Sequence, residues 1–219
     1  MPLLPNLGLI RARPVDPAYR FLFEPEPAGE AMVVDCETTG LDRRKDDIVS
    51  IAAIPLRDNR IFTSQRFVAT IRPGAQMNPA AIKVHGLREA DVRGGHTMGD
   101  VLPRLLRFIG SRPLVGYYLE FDIAMLNKHV RTLLGFRLPN RCIEISELYY
   151  ERKYSHAPPQ TEIDLTFAAM LKDLKLPLID QHDAYSDALM TAIAFITLRD
   201  LKARGSRIPR ERSGEFGTW

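Results

Sequence analysis

This chain predicts an α/β domain, a mixed sheet covered by helices, and three observations predict it. Apolar runs that read as strands crowd together early, at residues 31–36, 48–56 and 61–71. From there strand and helix patterns alternate, which lays helices against the sheet. With 219 residues, the chain is long enough for one domain with a substantial core.

Each element follows from its local pattern. Residues 1–29 hold prolines at positions 2, 5, 14, 17, 25 and 27 and are read as an irregular arm; Tyr19, Phe21, Leu22 and Phe23 give it apolar side chains to pack. The domain proper is placed at residues 30–204. The second and third strands flank the polar turn Arg57-Asp58-Asn59-Arg60 and so form a hairpin, and Pro73-Gly74 closes the meander. A short helical piece covers Pro79 to Val84. A longer helix spans Met98 to Ile109, with 101, 102, 105, 106 and 109 on one face. Leu114-Val115-Gly116 is a short strand, and Ile123 to Leu134 a helix with Ile123, Leu126, Val130, Leu133 and Leu134 inward. Helices near 146–154, 164–175 and 184–203 follow; the last turns Leu189, Ile193, Ile196 and Leu201 inward. Residues 205–219 are a polar, Arg-rich tail.

Composition narrows the function classes. With 45% hydrophobic and 26% charged residues the chain is an ordinary globular protein and not a disordered one. A net charge of +3 does not mark a nucleic-acid binder, though it is compatible with a locally basic groove beside an acidic site. The two cysteines, Cys36 and Cys142, fit neither a zinc ribbon nor a disulfide scaffold and suit a reducing cytoplasm. No apolar run approaches a membrane span, and the Pro- and Gly-broken start makes a poor signal peptide, so the expected location is cytoplasmic, with no membrane partner.

The chemistry gathers at four places. In Val33-Val34-Asp35-Cys36-Glu37-Thr38-Thr39-Gly40-Leu41, the carboxylates at 35 and 37 point the same way, because a strand alternates its faces. Two anions so placed repel unless a cation lies between them, and a divalent ion with oxygen ligands is the natural candidate. Alone the pair is also compatible with a solvated strand end. Phe121-Asp122 stands where the Leu114 strand gives way to a helix; an Asp there also suits the helix dipole. His182 precedes the last helix, with Asp187 in that helix's first turn. His85-Gly86-Leu87 is the fourth. There is no P-loop, no H-E-x-x-H and no G-x-S-x-G. Ser186, between His182 and Asp187, lacks a nucleophile elbow, and Gly94-Gly95-His96-Thr97-Met98-Gly99 lacks a phosphate-loop lysine and reads as a turn.

Taken in order, D-x-E-T-T-G-L, H-G-L, F-D and H-x-x-x-x-D resemble the DEDDh exonucleases over residues 30–202. That family includes the proofreading epsilon subunit of bacterial DNA polymerase III, RNase T and oligoribonuclease. The resemblance implies a ribonuclease H-like fold with a mixed five-stranded sheet, and 3′→5′ release of nucleoside 5′-monophosphates. It implies that Asp35, Glu37 and Asp187 hold one metal ion, that Asp35 bridges to a second which Asp122 reaches through water, and that His182 is the general base. Mg²⁺ or Mn²⁺ suits an all-oxygen shell, and two ions about 3.5–4 Å apart stabilise attacking and leaving oxygens. It also implies that Thr38, Leu41, His85 and Phe121 contact the 3′-terminal nucleotide, Leu41 as a wedge beside its base. Leu41 and Phe121 equally fit a core role.

Two departures touch no ligand: Tyr117-Tyr118 where many relatives have His-Asn, and Glu144-Ile145 where many have Asp-Thr. Both bear on substrate preference. The expected partner is nucleic acid, at single-stranded 3′ ends, and DNA is the first reading because D-C-E-T-T-G-L and H-D-A-Y-S-D-A look closest to the epsilon-like branch. An RNase T-like or oligoribonuclease-like RNA trimmer is the alternative, and a non-catalytic polymerase-accessory module the non-enzyme one. Polymerase association is compatible with the chain but not implied by it, and oligomeric state is not legible.

Overall fold

The computed structural model describes residues 16–178 and 183–210. Its centre is a mixed sheet of six strands: β1 (Glu30–Thr38), β2 (Ile48–Arg57), β3 (Arg60–Ile61), β4 (Phe67–Thr70), β5 (Leu114–Gly116) and β6 (Cys142–Glu144). Their order is β3-β2-β1-β5-β6, with β4 also paired to β2. β1 runs antiparallel to β2 and parallel to β5, which is parallel to β6. The mixed five-stranded sheet expected from sequence counts residues 61–71 as one strand. That stretch folds as two short strands on β2, separated by a 3₁₀ turn at Thr63–Gln65.

Seven helices cover the sheet among the described residues: α1 (Pro79–His85), α2 (Glu89–Val92), α3 (Met98–Ile109), α4 (Leu119–Leu134), α5 (Ile145–Lys153), α6 (Phe167–Asp173) and α7 (Ala184–Ala203). One face of β1, through Met32 and Val34, packs with α3 and α4; the other, through Ala31 and Val33, packs with α5, α6 and α7. Residues Pro17–Phe23 form a 3₁₀ helix that buries Tyr19 and Leu22 in the first of these cores.

In α3 the five positions picked from spacing, Val101, Leu102, Leu105, Leu106 and Ile109, are each at most 1% exposed. Burying each contributes roughly 1.5–3 kcal/mol. Together they outweigh the roughly 3 kcal/mol cost of Pro103 inside the helix. Thr97 caps α3, accepting from the Asp100 amide at 3.2 Å.

Two helical faces differ from expectation. α4 starts at Leu119 rather than Ile123, and its buried face is Leu119, Asp122, Met125, Leu126 and Val130, while Leu133 is 52% exposed. The stripe is rotated because a carboxylate, Asp122, occupies an inward position. In α7 the fully buried positions include Ala184, Ala188 and Ala192, at the i, i+4, i+8 spacing of one face, and Leu189, Ile193, Ile196 and Leu201 are only half-buried. Side-chain size explains the difference. Alanines let the helix backbone approach the sheet, which larger residues on that face would hold off.

Candidate active site

The sheet topology locates a crevice. From β1 the chain turns back into β2 on one side; from β5 it crosses through α4 to β6 on the other. Ligands of open α/β sheets bind beyond the carboxyl ends of strands where the direction of connection reverses. β1 carries Asp35 and Glu37 at that end. The pleat turns both toward α7, on the side of Ala31 and Val33, and the alanine-faced α7 brings Asp187 to meet them. One ligand oxygen from each of Asp35, Glu37 and Asp187 lies within 4.8 Å of the others, and all three residues are half-buried.

Asp122 arrives from the other side. β5 ends at Gly116, where a Cβ would stand 2.7 Å from the Leu119 side chain, so glycine eases the tight entry to α4. Tyr118 then takes a left-handed conformation (φ 57°) at the helix N-cap and offers no side-chain cap. Glu144 supplies one: its carboxylate accepts from the Leu119 amide at 2.9 Å and from the Ser146 amide at 3.1 Å, tying the starts of α4 and α5 together. The buried Asp122 carboxylate lies beside Cys36, on the opposite face of β1 from Asp35 and Glu37. It does not join the other three within 4.8 Å.

Electrostatics mark this as a site of concentrated negative charge. Burial, and then the Asp122, Glu37 and Asp187 carboxylates, push the Asp35 carboxyl well above its usual range. Burial and the charges of Asp187 and Asp183 push Glu37 up to about 7. Burial raises Asp122 as well, against the lowering influence of the neighbouring Cys36 amide and thiol. The Cys36 thiol is raised by burial and by the same acids. A set of oxygen donors held in mutual repulsion fits a hard divalent cation, whose charge would relieve every one of these shifts.

The remaining expected residues are placed as follows. His182 lies outside the described residues. Thr38 is buried, its hydroxyl donating to the Gly40 carbonyl at 2.7 Å. His85 is buried beneath the same turn. The Leu87 amide donates to its Nδ1 at 3.0 Å, so Nε2 carries the proton and donates to the Thr38 carbonyl at 3.2 Å. Leu41 is 84% exposed at the lip of the site, which removes the core explanation for it. Phe121 is half-buried, with the Arg43 guanidinium 5.9 Å from its ring centroid. Gly40 is required by packing: a Cβ would stand 2.5 Å from the Asp46 carboxylate, which accepts from the Thr39 hydroxyl and the Asp42 amide. Of the two tyrosines, Tyr117 turns inward, its ring 5.0 Å from Phe167 and its hydroxyl donating to the Leu165 carbonyl, while Tyr118 is 70% exposed. Ser186 donates both its amide and its hydroxyl to Asp183, the N-cap of α7, which leaves no place for it in a triad.

Sequence reasoning missed Cys36 and Asp183 and gave Glu144 no task. Asp183 was legible as an N-cap from its position before an apolar-periodic run. The partners of Cys36 and Glu144 are distant in sequence and left no local signal.

Comparison with known proteins agrees with this geometry. The RNase T exonuclease family model matches residues 32–195. The DNA polymerase III subunit epsilon of Aquifex aeolicus (strain VF5) is 29% identical over 175 residues, covering 78% of this chain and 80% of its own length. The PolC-type DNA polymerase III of Caldanaerobacter subterraneus subsp. tengcongensis is 26% identical over 78% of this chain, which spans only 12% of that polymerase. Among solved structures, Exonuclease X in complex with 5′ overhanging duplex DNA shares the fold at a TM-score of 0.59 and 24% identity, over 81% of this chain and 95% of its own.

Proposed function

This chain belongs to the RNase T exonuclease family, and from that premise we propose that it removes nucleoside 5′-monophosphates from the 3′ ends of DNA in the cytoplasm, with two divalent ions, Mg²⁺ or Mn²⁺. The observation that carries the reading is the convergence of Asp35, Glu37 and Asp187, with Asp122 buried beside Asp35. Asp35, Glu37 and Asp187 would hold one ion, and Asp35 with Asp122 the second. When bound, the ions supply charge neutralisation for the phosphate and its leaving oxygen.

The chain's own residues do the rest. His182, just before α7, takes the proton from the attacking water, since imidazole titrates near neutrality. Leu41 presses on the terminal base, and Phe121 offers a ring to the same nucleotide. The turn that Thr38, Gly40 and His85 brace holds the backbone of that pocket in place. DNA is preferred over RNA in this reading because both curated relatives are named as DNA polymerase components. Polymerase association rests on those names alone.

The deciding experiment digests matched DNA and RNA oligonucleotides, single- and double-stranded, with Mg²⁺ or Mn²⁺ and with chelator. Faster loss of single-stranded DNA is expected. A clear preference for RNA would replace the substrate and leave the reaction class standing.

A further inference from the structure

A groove of about 630 Å³ opens along α4 on the side away from Asp122. At 100° per residue, Glu120, Ala124, Lys128 and Arg131 share one face of the helix, and Asp122 points to the opposite one. The groove walls hold five cations, Arg43, Arg44, Lys128, Arg131 and Arg137, against the single carboxylate Glu120. That local excess is larger than the +3 of the whole chain.

The cations are not equally free. Lys128 is committed to Asp47 at 2.8 Å and to the Asp46 carbonyl at 2.8 Å. Arg43 is shared between Glu120, at 2.9 Å, and the Phe121 ring. The Arg43–Glu120 pair is well exposed, with side-chain exposures of 43% and 85%, and is cheaply exchanged for another anion. Arg131 and Arg137 are exposed and have no ion pair among the described residues. Like charges gathered in a concavity repel one another, and a polyanion relieves that repulsion. Guanidinium groups suit phosphate because they can bond two oxygens at once.

Position selects the anion. Arg43 joins the groove to Phe121, and Phe121 is the neighbour of Asp122 in the carboxylate site. From Glu120 to Arg131 the helix runs about 16 Å, enough for several nucleotides of a strand. We propose that this groove holds backbone phosphates of the strand being degraded, upstream of the 3′ end that lies at the carboxylates. The proposal rests on the exonuclease reading above. It names a binding track that gives grip without reading sequence.

The test is the double variant Arg131→Ala/Arg137→Ala, with its melting temperature checked against wild type. On a single strand of 20 nucleotides, kcat/KM should fall about tenfold, and its logarithm should fall less steeply with log[salt], by about 0.7 for each phosphate that the variant no longer neutralises. On p-nitrophenyl thymidine 5′-monophosphate, too short to enter the groove, turnover should be unchanged. An unaltered rate and salt slope on the long strand would overturn the proposal. So would an equal loss on the small ester, or a loss confined to duplex substrates, which would assign the groove to the complementary strand. If wild type hydrolyses nothing, the exonuclease reading fails. The groove is then judged on its own by fluorescence anisotropy with a labelled strand and metal-free protein, where weaker binding by the variant supports it and equal binding ends it.

Discussion

Asp35→Asn should lower exonuclease turnover by at least about 10³-fold while raising the melting temperature of the metal-free protein by several degrees. The loss follows from the place of Asp35 in the cradle, grouped with Glu37 and Asp187 and repelled by Asp122. Under the proposed two-ion site, removing the carboxylate that both ions would share forfeits roughly 4 kcal/mol of transition-state stabilisation, each 1.36 kcal/mol being tenfold in rate. The gain in stability follows from the same charges. A carboxyl whose folded-state pKa is raised costs nothing below its unfolded value, and stability is lost as pH rises through the folded value. For Glu37 that window runs from the ordinary carboxylate range to about 7, and Asp35 and Asp122 shift in the same direction. At pH 8 the metal-free site therefore strains the fold, and the amide removes one of the repelling charges.

The same logic makes added Mn²⁺ stabilise wild type strongly at pH 8 and little at pH 5, where protons occupy the donors. Scanning calorimetry with and without Mn²⁺ at the two pH values checks both halves. An Asp35→Asn protein that is active, or that melts lower than wild type without metal, contradicts the assignment.

His182→Ala should cut kcat by about 10²- to 10⁴-fold, the usual range for a positioned proton acceptor. The Mn²⁺-induced rise in melting temperature should stay as in wild type. At saturating Mn²⁺ the acid limb of the pH–rate profile should lose its imidazole step and keep only the fall at which protons displace metal from the carboxylates. A lost Mn²⁺ effect with a modest rate change would make His182 a ligand instead of a base.

Much of the architecture was legible because local patterns carried it. The apolar spacing of α3 named all five of its fully buried aliphatics, and the alternation in β1 put Asp35 and Glu37 on one face. What escaped depended on size or on distant partners. In α7 Leu189, Ile196 and Leu201 do pack against the core, but Ala188 and Ala192, among its most deeply buried positions, were missed because hydrophobicity ranks the larger side chains first while close packing on the sheet favours alanine. In α4 Leu126 and Val130 are buried as expected, but Leu133 is exposed and Asp122 was missed, because a charged residue in an inward position is not anticipated by an apolar pattern. Functional sites are where such local rules are broken. Glu144 shows the same limit: its capping of α4 joins residues 25 positions apart and has no signature in either segment. Arg43, Arg131 and Arg137 come together only once the β1–β2 connection lies beside α4.

The central claim, a carboxylate metal cradle that drives hydrolysis from the 3′ end, is tested most directly by product analysis. A 5′-labelled single-stranded DNA is incubated with the full chain and Mn²⁺, and the ladder and the released nucleotides are resolved together over time. The account predicts a ladder shortening one nucleotide at a time from the 3′ end, nucleoside 5′-monophosphates as the released species, and arrest by chelator. Shortening that persists in chelator, internal cuts, or 3′-monophosphate products would contradict it.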